Sequence, residues 1–129
     1  MSRGKSASPL AKVRGLGSAG EGGEHWLYER FTSVALVLLS AWLAYALFTL
    51  PDLNVGTLQA WLASPLGAVP MALFIVTSFA HGLDGLKVVV DDYVHVEGNR
   101  IALHFILNMI AIAGAALALF ALAQIAFGA

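Results

Sequence analysis

The chain alternates between long apolar stretches and short polar breaks. Three apolar runs stand out: Phe31–Leu50, Leu66–Val90 and Ile101–Phe127. Each reaches the roughly 20 residues that an α-helix needs to cross a ~30 Å hydrocarbon layer. With their flanks they predict helices over about 28–50, 66–91 and 100–127. Pro51 and Asp52 end the first run, and Ser64 with Pro65 opens the second, where proline suits a first helical turn. Pro70 lies one turn further in, at a position that predicts a kinked start. The stretch from Asp91 to Arg100 is short and polar and reads as a loop. Residues 1–22 are rich in Gly, Ser, Ala and Lys/Arg and nearly devoid of bulky apolar side chains. Such a segment cannot bury enough surface to fold alone, so it reads as a flexible tail. It either fixes topology only or becomes ordered on a partner or on anionic lipid. Residues 23–129 then form the membrane domain.

Composition narrows the class. Of 129 residues, 59% are hydrophobic and only 12% charged, with a mean hydropathy of +0.79. That balance belongs to an all-α membrane protein, because a soluble surface needs more charge. The basic residues set the orientation. Arg3, Lys5, Lys12, Arg14 and Arg30 precede or open the first span, and Lys87 and Arg100 flank the second loop. The loop from Pro51 to Pro65 and the C-terminal tail carry none. The positive-inside rule therefore predicts a cytoplasmic N-terminus and a periplasmic C-terminus. The first apolar run begins too late for a cleaved signal peptide. The absence of cysteine excludes disulfides, thiolate metal sites and cysteine nucleophiles in this chain, and a net charge of −1 points to no nucleic-acid partner. Small residues recur in helix three (Ala111, Gly114, Ala115, Ala118) and in helix one (Ala41, Ala44, Ala46). They permit close helix approach, and they predict packing with another membrane subunit.

The stretch from Ser78 to Tyr93 carries the candidate chemistry. Ionisable residues inside a membrane are costly, so His81, Asp84 and Lys87 are each a site candidate by default. Ser78, His81, Gly85, Val88 and Asp92 follow one another by 3, 4, 3 and 4 positions and so share one helix face. Gly85, one turn from His81, leaves room for a large flat group beside the imidazole, an arrangement compatible with haem ligation. The alternative is that His81 only hydrogen-bonds a neighbouring helix. Asp84 and Lys87, or Lys87 and Asp91, have the spacing to pair with one another. His104 stands about 6 Å into helix three, whereas His81 is about 15 Å deep. Two axial ligands of one iron must lie at nearly one depth, so a second ligand would have to come from another subunit. His25 and His95 lie outside the spans.

These residues resemble a known family. His81, Gly85, Asp92 and Tyr93 match the HxxxGxxxxxxDY signature of the small membrane-anchor subunit of succinate dehydrogenase, respiratory complex II. Glu24-His25-Trp26 through Arg30, Thr32 and Ala35 is similar to the same family's opening of helix one. The acidic pair before Tyr93, with His95 following, resembles α-proteobacterial members. The resemblance implies a subunit of the bacterial inner membrane that binds haem b jointly with a second anchor subunit. It implies partners carrying FAD and iron–sulfur clusters, and ubiquinone as the electron-accepting substrate. His81 would be the axial ligand of the haem iron, with Gly85 and Ser78 beside it and Arg30 meeting the propionates. Tyr93 would donate a hydrogen bond to a quinone oxygen, with Asp92 orienting or relaying protons there. A tyrosine phenol can donate in this way, and a carboxylate at a wet interface can move protons. Succinate oxidation itself would belong to the partners. Two rivals stand beside this reading: the anchor of a fumarate reductase, and a structural membrane subunit without haem.

Overall fold

The structure is a computed structural model and describes residues 21–128. Four helices make up the chain among these residues, and no strand occurs there: α1 (Glu21–Thr49), α2 (Val55–Ala63), α3 (Pro65–Tyr93) and α4 (Glu97–Phe127). Three are long and apolar enough to cross a membrane: Gly23–Thr49, Pro65–Tyr93 and Glu97–Phe127. The expected all-α class and its three spans are therefore present. The proposed tail falls almost wholly outside the described residues, and Glu21 and Gly22 at its end are already helical.

Two boundaries differ from expectation. The break after the first span is not simply a loop, because α2 forms within it. Asn54 caps that helix, its Oδ1 accepting from the Thr57 N–H at 2.8 Å, which satisfies one of the free donors of the first turn. Ser64 then ends α2 and caps α3, its Oγ accepting from the Gly67 N–H at 3.1 Å while Pro65 takes the first helical position. The corner is tight. A Cβ on Gly67 would collide with the backbone carbonyl of Trp61, so only glycine fits this close approach. The second departure lies at the far end of α3, which runs through Asp91, Asp92 and Tyr93, so that only Val94–Val96 separate it from α4. The expected ten-residue loop is mostly helix.

Contacts divide the chain after Phe31. In the first part, Arg30 stacks its guanidinium 5.5 Å from the Trp26 ring centroid, and His25 Nε2 lies 3.3 Å from Glu29 Oε1 on an exposed surface. In the second part, α3 packs along α4, and α2 touches both. Small residues make the α3–α4 contact possible: a Cβ on Gly114 would stand 2.7 Å from Phe79 Cε1. Trp42 of α1 stacks on Trp61 of α2, centroids 5.5 Å apart and planes 28° apart. Yet almost nothing is buried. Ala46, Leu122, Thr32 and Gly67 are the buried residues among those described, while Phe48 is 90% and Phe105 65% exposed. A water-soluble chain could not present so much apolar surface; a lipid or protein environment must cover it.

Candidate functional site

His81 lies in the middle of α3, twelve residues before the helix ends at Tyr93. Its Nδ1 is 3.0 Å from Oγ1 of Thr32 on α1, and Thr32 is only 6% exposed. No hydrogen bond to Nε2 forms among the described residues, and Nε2 is not sealed inside the chain. This division of labour between the two ring nitrogens suits a metal ligand. A threonine hydroxyl can accept from Nδ1–H or donate to Nδ1. In the tautomer in which Nδ1–H donates, the Nε2 lone pair is left for a ligand, and the same contact is the interhelical hydrogen bond of the alternative reading.

Gly85 is one turn further along, and a Cβ built on it would meet nothing within 4 Å. Packing within this chain therefore does not require glycine there, in contrast to Gly67 and Gly114. An interior helical glycine costs about 1 kcal/mol relative to alanine, so space kept open beside His81 fits a group supplied from outside. Ser78 completes the face and also borders an apolar groove of about 180 Å³ between α3 and α4. Among the described residues no group of three or more His, Asp or Glu side chains could hold a bare metal ion. A single anchored imidazole with open space beside it is compatible with a metal carried in a larger planar group.

At the end of α3, Asp92 and Tyr93 are exposed, Tyr93 by 79%. An α-helical rise of 1.5 Å per residue sets Tyr93 about 18 Å along the axis from His81. His81 and Tyr93 are thus two separate points on one helix. The structure does not bring His104 to His81. His104 faces the end of α3 with its side chain partly exposed; its Nε2 lies 3.1 Å from Asp91 Oδ1, and that nitrogen is enclosed without the alignment for a hydrogen bond. Arg100 Nε lies 3.8 Å from the same carboxylate oxygen. Asp91 therefore pairs across to α4 and not along its own helix. No ion pair joins Lys87 to Asp84 or to Asp91 among the described residues.

Sequence reasoning missed both Thr32 as the partner of His81 and the grouping of Asp91, Arg100 and His104. Asp91 sits in the last turn of α3, and Arg100 sits in the first turn of α4. A carboxylate at a helix C-terminus and a cation at an N-terminus are each disfavoured by the helix dipole, by about 0.3–1 kcal/mol. That double mismatch is the signal that could have revealed the pair. A cleft of about 610 Å³ with Gln59 and Gln124 on its walls opens between α2 and the end of α4. It lies at the opposite end of α3 from Tyr93 and holds no ionisable side chain.

Comparison with known proteins agrees with the motifs. The family model of the succinate dehydrogenase/fumarate reductase transmembrane subunit matches residues 4–117. Succinate dehydrogenase hydrophobic membrane anchor subunits are similar along most of their length. That of Rickettsia bellii is 37% identical over 93 residues, 70% of this chain and 73% of the relative. That of Rickettsia conorii is 32% identical over 104 residues, 80% of this chain and 82% of the relative. The Paracoccus denitrificans subunit is 30% identical over 122 residues, 95% of this chain and 94% of the relative. No solved structure matches significantly. The chain belongs to the succinate dehydrogenase/fumarate reductase transmembrane subunit family, and within it to the membrane anchor subunits of succinate dehydrogenase.

Proposed function

We propose that this anchor holds haem b through His81 and forms a quinone-reduction site around Tyr93. The observation that carries the reading is the His81 geometry: Nδ1 anchored 3.0 Å from the buried Thr32 hydroxyl, with open space at Gly85 one turn away. A second anchor subunit would supply the other ligand. Gly85 and Ser78 would border the macrocycle, and the family motif that includes Arg30 implies that residue as the partner of the propionates. Bound haem supplies a one-electron centre. Asp92 shares the helix face of His81 and stands at the end of α3, where protons arrive from water. Tyr93 donates a hydrogen bond from its phenol O–H to a quinone oxygen.

The partners in this reading are a flavoprotein with FAD, an iron–sulfur protein and the second anchor. They oxidise succinate and deliver electrons to ubiquinone at the cytoplasmic face of the bacterial inner membrane. The distribution of Lys and Arg supports that orientation, with the N-terminus and the α3–α4 connection cytoplasmic. Tyr93→Phe tests the quinone assignment in the purified complex. It removes one donor while keeping the ring, an interaction worth about 1 kcal/mol in a neutral pair, and more if it strengthens as charge builds on the quinone. Succinate–quinone turnover falls at least severalfold. Succinate oxidation by an acceptor upstream of quinone and the haem spectrum stay as in the native complex. Unchanged quinone turnover would remove Tyr93 from the site.

A further inference from the structure

Three side chains at the α3–α4 connection serve neither the haem ligand nor the quinone donor directly. Asp91 faces Arg100 at 3.8 Å and His104 at 3.1 Å. Each of Asp91 and Arg100 stands at the helix end whose partial charge has the same sign as its own. The pairing across helices is what offsets that mismatch. His104 Nε2 is enclosed without a hydrogen bond, an arrangement rare enough in folded proteins to call for a reason. The carboxylate of Asp91 is the charge it faces.

Val96 caps α4 with no side-chain hydrogen bond, and only Val94–Val96 join the helices. Tyr93, two residues beyond Asp91, is 79% exposed, so its place is set by where the end of α3 is held. We propose that Asp91, Arg100 and His104 form a positioning clamp that fixes the end of α3 against α4 and thereby holds Tyr93 in register with its quinone. The proposal rests on Tyr93 as quinone donor. A donor displaced by about an ångström loses much of its effect on a reaction, so a charge pair that does not touch the substrate controls turnover through Tyr93.

The test is a double-mutant cycle in the complex purified from membranes, with rates normalised to haem. Asp91→Asn keeps the side-chain shape and removes the charge. It lowers quinone kcat/KM severalfold, while succinate oxidation by an upstream acceptor holds and Asp91→Glu retains most of the native value. In a Tyr93→Phe background, Asp91→Asn lowers it little further, because the group it positions has already lost its donor. Arg100→Met and His104→Gln reach the clamp from α4 and show the same dependence on background, which keeps the test open if Asp91→Asn does not accumulate. Equal losses in both backgrounds, or native turnover in all three variants, would overturn the clamp and leave the quinone reading standing. Native turnover in Tyr93→Phe alone would overturn both.

Discussion

Replacing Thr32 by valine isolates the contact that orients His81. The two side chains are nearly isosteric, but valine cannot accept a hydrogen bond. Thr32 is 6% exposed, so water does not readily take the place of the lost hydroxyl 3.0 Å from Nδ1. A buried donor left unsatisfied costs about 1–3 kcal/mol, and removing such an outer partner typically weakens metal binding about 10–100-fold. The oxidation states of the proposed haem iron would respond unequally. An acceptor at Nδ1–H raises the basicity of Nε2, which favours ferric over ferrous iron. If about 1 kcal/mol of the bond is specific to the ferric form, its loss raises the one-electron potential by about 40 mV, since a tenfold change corresponds to about 59 mV. The assay is redox titration of the haem band together with haem content per complex. Thr32→Val lowers retention and shifts the midpoint upward, and Thr32→Ser, which keeps the hydroxyl, restores both. Native haem content and midpoint in an assembled Thr32→Val complex would refute the reasoning.

Two further outcomes follow from the same geometry. His81→Ala removes or alters the low-spin haem spectrum, whereas His104→Ala leaves it intact because that ring faces Asp91; an unchanged spectrum in His81→Ala would exclude the ligand. A Cβ at Gly85 meets nothing within 4 Å and Gly85→Leu improves helix propensity by up to about 1 kcal/mol, so the subunit still accumulates in membranes but binds less haem, as absorbance against subunit content would record.

The long spans were legible because hydropathy is a property of each residue summed over a window, and tertiary contacts do not alter it. The short helix α2 was not legible in the same way. Its nine residues lie between Pro51 and Pro65 in a stretch that reads as a loop, too short to span a membrane. Asn54 three residues before Thr57, with Leu58, Trp61 and Leu62 following at helical spacing, was the available signal. The start of α4 was hidden for a different reason: Val96 has no capping oxygen to announce it. At the site, His81 and Gly85 could be read from one helix face, because their relation is local. Thr32 could not, since it reaches His81 across 49 positions. Asp91 was matched to Lys87 by local spacing, but the structure matches it to residues 9 and 13 positions away, on the next helix.

The unbroken run of α3 from His81 to Tyr93 acts as both ruler and protractor. Twelve residues of α-helix give about 18 Å and about three and a third turns. The two side chains thus leave the axis about a third of a circle apart. A large planar group and a small diffusing molecule can then approach from different sides without contending for the same space. Inserting one residue between them would lengthen the separation by only about 1.5 Å but swing one side chain by about 100°. The spacing therefore governs bearing far more than distance, so the number of residues between the two points matters more than the length they span.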